Sequence, residues 1–140
     1  MQSCNMVRMT GDYSGNKKCT LTHEEGAVLK TDAPKDIGGD ASAFSPTDLV
    51  GAAVGSCVLT TIAMYGERHG VNLSGTRFEV VKEMITEPPR RIGALKIKVM
   101  IPASQVPEAM RSTLERVGNS CPVKKSIHPD IDAPIEFIYV

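Results

Sequence analysis

Alternating apolar and polar residues through the first third of the chain predict strands. Asn5 to Met9 reads as one short strand, and Asp12-Tyr13-Ser14-Gly15-Asn16 as a turn cluster. Lys18 to His23 alternates cleanly, with Cys19, Leu21 and His23 on one face. Glu24-Glu25-Gly26 makes a second turn, and Ala27 to Thr31 a third strand. Asp32 to Ala43, carrying Pro34 and Gly38-Gly39, reads as a loop.

The pattern then changes period. Ser45 is an N-cap, Pro46 suits the first helical position, and Asp48 completes an S-x-x-D capping box. Arg68 and His69 lie in the last turn of this helix, with Gly70 just beyond. Gly51 to Ser56 holds only small residues and one Val. Glycines that weaken a helix usually serve a close approach by other atoms. Two readings stand side by side: tight packing under the chain's own sheet, or contact with a partner helix from a second subunit.

Strands return at Thr76 to Ile85 and Ile92 to Ile101, joined through Glu87-Pro88-Pro89-Arg90. In the second, Leu95, Ile97, Val99 and Ile101 share one face, opposite Lys96 and Lys98. Ser104 to Val117 reads as an amphipathic helix stopped by Gly118, Cys121 caps a short helix, and Ile135 to Val140 is a strand. The architecture is α+β in a single domain, residues 1–140, with no internal repeat or linker.

Composition narrows the function. The 140 residues are 41% hydrophobic and 23% charged with zero formal net charge, so no basic footprint for nucleic acid is present. Three Phe, three Tyr and no Trp leave few platforms for stacking bases. No apolar run approaches the ~20 residues of a membrane span, and the first residues lack the apolar centre of a signal peptide. The expected location is therefore the cytoplasm, where four cysteines do not form a structural disulfide framework.

The chemistry rests on cysteine. Cys121 sits at a helix mouth, with Lys124 and Lys125 within one turn, so local physics makes it the more acidic thiol. Cys57 lies mid-helix and needs activation from elsewhere in the fold. Each thiol has a plainer reading as an inert buried cysteine. Cys4 and Cys19 are near neither a helix start nor a basic cluster. Cys19 and His23 share a strand face, but no spacing typical of structural zinc is present, and no metal is expected. Arginines matter because stabilising charge on a leaving oxygen eases O–O cleavage. Arg90 and Arg91 are the first candidates, Arg8 the next. Asp48 is a further candidate, for which its capping role is sufficient explanation.

The stretch TDAPKDIGGDASAFSPTDLVGAAVGSC, followed after two strands and a helix by SCPVKKSI, resembles the OsmC/Ohr family of osmotically inducible and organic hydroperoxide resistance proteins. The resemblance runs from about His23 to the last strand. It implies antiparallel sheets around a long central helix, in an intertwined homodimer with active sites at the subunit interface. It also implies a thiol peroxidase for organic hydroperoxides, with inorganic peroxide a further substrate. Cys57 matches the attacking thiol, passing through a sulfenic acid, and Cys121 the resolving thiol that forms a disulfide with it. No resident cofactor is implied; the partner is an external dithiol reductant, lipoyl in the best-known members. The chain departs from the peroxidase pattern in one respect. Family peroxidases carry an arginine in the loop before the long helix and a glutamate at its start. Here the loop offers only Lys35, and the helix start has Thr47 and Asp48. A small-ligand-binding or redox-sensing member of the OsmC-like branch is therefore the alternative.

Overall fold

Left-handed backbone at Asn16 (φ 54°) and Lys17 (φ 64°) reverses the chain between the first two strands. Two successive positive-φ residues make the hairpin turn whose twist matches that of its strands. The computed structural model describes residues 5–140, which fall into two compact units divided between Leu49 and Val50. In the first unit, β1 (Met9–Gly15), β2 (Lys18–His23) and β3 (Val28–Thr31) form an antiparallel sheet in chain order. The expected strand at Asn5 to Met9 is displaced. Pairing begins at Met9, and the Asp12–Gly15 segment predicted to turn is strand, with a bulge before Gly15. Of the residues predicted to turn, only the last, Asn16, takes part in the reversal, together with Lys17.

The loop after β3 is closed by the carboxylate of Asp32. It accepts hydrogen bonds from the Ser42 hydroxyl (2.6 Å), the Ser42 N–H (3.0 Å) and the Ala33 N–H (2.7 Å). Lys18 bridges Asp32 at 3.5 Å and Asp40 at 2.6 Å. These donors, the Ser42 hydroxyl foremost, hold the Asp32 carboxyl well below the usual carboxylate range. Gly39 runs so close to the Ala33 backbone that a Cβ would not fit. None of this unit's hydrophobic residues is fully buried among those described. Met9, Tyr13, Val28, Leu29 and Phe44 are all exposed.

Helix α1 (Pro46–Arg68) opens with the capping box expected for it. The Ser45 Oγ accepts from the Asp48 N–H (3.1 Å), and the Asp48 carboxylate accepts from the Ser45 N–H (2.9 Å). Its end is a Schellman motif: Gly70, at φ 73°, lets the Val71 N–H reach the Gly66 carbonyl (2.8 Å) and its own N–H reach Glu67 (3.5 Å). By length and composition α1 is apolar enough to cross a bilayer, contrary to the sequence reading. Its buried positions, however, mark it as the core helix of the second unit, with Val54, Val58 and Ile62 fully enclosed.

The second unit's sheet joins β4 (Arg77–Ile85), β5 (Arg91–Ile101) and β6 (Ile135–Tyr139) in chain order. β4 and β5 pair antiparallel, but β5 and β6 pair parallel, so this sheet is mixed rather than antiparallel. The predicted inward face of β5 holds: Leu95, Ile97, Val99 and Ile101 are buried. Between β5 and β6 lie α2 (Glu108–Gly118) and α3 (Pro122–Ser126). The helix expected from Ser104 starts four residues later. Pro107 lacks an N–H and holds Val106 extended (φ −122°, ψ 112°), which leaves only a 3-10 turn at Ala103–Gln105. Gly118 does not stop α2 but ends it as a helical residue. A Cβ there would stand 2.8 Å from the Phe137 ring and 3.1 Å from Ile62.

The glycines of α1 resolve the question raised by the sequence. Gly51 faces Leu95 and Val80 of its own sheet, and a Cβ on Gly55 would be driven into the Phe78 ring. The small residues therefore serve the chain's own packing at these two positions, while Ala53, Ser56 and Thr60 remain exposed. Gly55→Ala should then destabilise the protein by about 1–3 kcal/mol through overpacking, despite alanine's better helix propensity. Urea unfolding checks this, and a Gly55→Ala/Phe78→Leu double variant should recover part of the loss.

Candidate active site

Cys57 lies on the fourth turn of α1 and Cys121 at the N-cap of α3, and the fold of the second unit packs Cys57 against the cluster that holds Cys121, close enough for the two thiols to interact. Both are free, as is Cys19; Cys4 lies outside the described residues. Cys57 is half-buried, whereas Cys121 is completely enclosed in the core cluster that includes Ile62, Leu114 and Val58. Cys121 is held in place by its backbone: its N–H donates to Gly118 (3.3 Å) and its carbonyl accepts from Lys125 (3.1 Å). The Thr61 hydroxyl, one turn along α1, lies 3.9 Å from the Cys57 Sγ. The sequence reading passed over Thr61, although an i, i+4 spacing on a helix is enough to place it there.

The helix mouth does what was expected of it, but it does not win. The Lys124 N–H donates to the Cys121 Sγ at 3.4 Å, and the Val123 N–H also favours the thiolate. Burial outweighs both, and contact with the Cys57 thiol works in the same direction, so the Cys121 pKa is raised rather than lowered. The expectation that Cys121 is the acidified thiol is thus overturned. Two causes were not visible in the sequence. α3 is only five residues long, too short for much dipole. The Lys124 ammonium is directed at Asn119 Oδ1 (2.8 Å) rather than at the sulfur.

Asp48 sits in the first unit with its carboxylate on the Ser45 N–H. Arg91 is exposed and donates to the Ile92 carbonyl at 3.1 Å; Arg90 is exposed in the connection before β5. α1 runs from Leu95 and Val80 at Gly51 toward Phe78 at Gly55, away from the Arg91 end of β5. Cys57 is about 9 Å along the helix beyond Gly51, and Arg91 about 13 Å along the strand the other way from Leu95. Within one chain neither arginine is brought to the thiol. Arg8 is exposed in the first unit, where its carbonyl accepts from the Glu24 N–H (3.1 Å). His23 uses Nδ1 to accept from the Glu25 N–H (3.0 Å), and no group of metal-ligating side chains is present among the described residues.

The sequence matches the family of OsmC-like proteins over residues 39–136. No curated protein sequence matches the chain. Among solved structures, a proposed osmotic stress induced and detoxification response protein from Psychrobacter arcticus 273-4 is 31% identical. That alignment covers 98% of each chain with a TM-score of 0.85. An organic hydroperoxide resistance protein from Legionella pneumophila is 14% identical over 98% of this chain and 99% of its own, with a TM-score of 0.77. A proposed one from Vibrio cholerae, with captopril in one of its active sites, is 16% identical over 98% and 94%, at 0.75. At those identities the last two show the fold alone, and it is the OsmC-like fold.

A raised pKa on an acid means that the fold favours the protonated form. The stability that Cys121 contributes is therefore present below the free-thiol value, about 8.5, and is lost as pH rises through the higher folded value. Native protein treated with iodoacetamide at pH 8 should label Cys57 about tenfold or more faster than Cys121, the buried and protonated thiol. Peptide mass spectrometry reads both rates; equal labelling would contradict the burial argument.

Proposed function

The chain belongs to the OsmC family, and on that premise we propose that it is a thiol-dependent peroxidase reducing organic hydroperoxides. One observation carries the proposal: an accessible Cys57 thiol in contact with an enclosed Cys121 thiol. Family membership supports a peroxide-related redox role, and the names of the Legionella and Vibrio structures point to organic hydroperoxides.

The Cys57 thiolate attacks the distal oxygen of ROOH. The O–O bond breaks as the S–O bond forms, and RO⁻ takes a proton and leaves as the alcohol. Cys57 is left as a sulfenic acid. Cys121 then gives its proton to solvent, and its sulfur attacks that of Cys57. The S–O bond breaks, water is released, and a disulfide remains. An external dithiol, lipoyl-type in this reading, supplies two electrons and two protons and restores both thiols. That cycle needs a reducing compartment, in keeping with the cytoplasm. The burial order suits these roles, since peroxide meets Cys57 first and Cys121 is reserved for the sulfenic acid.

The working unit in this proposal is a homodimer. Its support is the absence of any fully buried hydrophobic side chain among the described residues of the first unit, together with the exposed Ala53, Ser56, Thr60 and Met64 on one face of α1. A second subunit would then supply any arginine that acts at Cys57. Light scattering at micromolar concentration should give twice the 15.1 kDa chain mass, and a stable folded monomer would count against the dimer.

Single-residue variants test the chemistry. Cys121→Ser should consume about one equivalent of cumene hydroperoxide and trap a sulfenic acid on Cys57, while Cys57→Ser consumes none. The oxidised wild type should show a Cys57–Cys121 disulfide by mass spectrometry. Should wild type react no faster than a free thiol, the protein is a small-ligand-binding or redox-sensing member of the family instead.

A further inference from the structure

We infer that the Thr61 hydroxyl is the local donor that positions and holds the Cys57 thiolate, a role resting on Cys57 being the attacking thiol. The two side chains are one helical turn apart, and Oγ1 stands 3.9 Å from Sγ. Threonines in helices commonly turn the hydroxyl back to the carbonyl four residues earlier, as Thr60 does to Ser56 at 3.0 Å. For Thr61 the contact is with the sulfur instead.

With Cys57 as a thiol, either atom can donate. Once the sulfur loses its proton to solvent it can only accept, so the hydroxyl must turn its O–H to the sulfur. Hydrogen bonds to an ionised group are shorter and stronger than neutral ones, and this contact tightens on ionisation. The Thr61 hydroxyl is the hydrogen-bonding neighbour of the Cys57 sulfur on its own helix. From α3 the facing group is the Cys121 thiol, itself a weak donor. The Lys124 ammonium is engaged with Asn119, and Arg91 with the Ile92 carbonyl at the far end of the sheet. A hydroxyl on the same helix is fixed relative to the sulfur whatever the assembly state.

The test reads the thiol rather than turnover. The rate of Cys57 alkylation by iodoacetamide is followed from pH 5 to 10 by peptide mass spectrometry, with Cys19 in the same molecule as the internal reference. Thr61→Val keeps the shape and removes the donor, and should move the Cys57 midpoint up by about one pH unit. Thr61→Ser restores the donor and should return the midpoint to within about 0.3 of wild type. The Cys19 profile should be unchanged in both. If Thr61→Val fails to fold, Thr61→Ala makes the same deletion without β-branching. The inference is overturned if removing the hydroxyl leaves the Cys57 midpoint in place, or if Thr61→Ser moves it as far as Thr61→Val does. Because alkylation needs no peroxide, a shifted profile in a protein without hydroperoxide turnover would sustain the role of Thr61 while removing the peroxidase reading. Turnover with an unshifted profile would do the reverse.

Discussion

The distance at which α1 can lie against its own sheet governs the second unit. At Gly55 the helix backbone takes the place where a side chain would meet Phe78, and at Gly51 it rests on Leu95 and Val80. Interiors are packed to crystal-like density, so a methyl group too many at such a point shifts the whole element. The same device recurs at Gly118, where α2 meets Phe137 and Ile62. Two glycines on one helix and one on another thus set how closely α1 lies on the sheet and how closely α2 lies on the sheet and on α1. The thiol pair is a by-product of that spacing, since Cys57 is two residues past Gly55 and Cys121 three past Gly118.

At the site, two electrostatic effects of opposite sign compete for one sulfur. Amide donors at the start of α3 stabilise a thiolate on Cys121, and enclosure in the core opposes it. Enclosure prevails, because the loss of hydration acts on the full charge while a short helix offers only partial charges. The outcome places two chemically identical groups in different settings. Cys57 is half-buried, and Cys121 is enclosed beside it in its protonated form.

Much of this was legible in the residues. The cap at Ser45, the αL stop at Gly70, the alternation in β5 and the α3 cap at Cys121 are local signals, and local signals are read well. The misreadings have two causes. The late start of α2 follows from Pro107, a local signal that was passed over. The strand at Met9–Gly15 and the parallel pairing of β6 depend on which segment lies alongside, which periodicity does not encode. The same limit applied at the site. Both thiols could be picked out, and the family resemblance paired them. The acidity of Cys121 was misjudged because its burial is set by residues far away in sequence. The arginines were guessed by type, without the register that sends Arg91 away from Cys57.

The parallel register of β6 on β5 has a consequence for the timing of assembly. Parallel neighbours require a crossover, and here the crossover is α2 with α3, so the element that carries Cys121 is anchored at both ends to one sheet. β6 is the last element in chain order. During synthesis Cys57 and its helix are complete while the strand that fixes the crossover has yet to be made. A chain that stopped before β6 would carry both cysteines but lack the strand that anchors the far end of the Cys121 crossover.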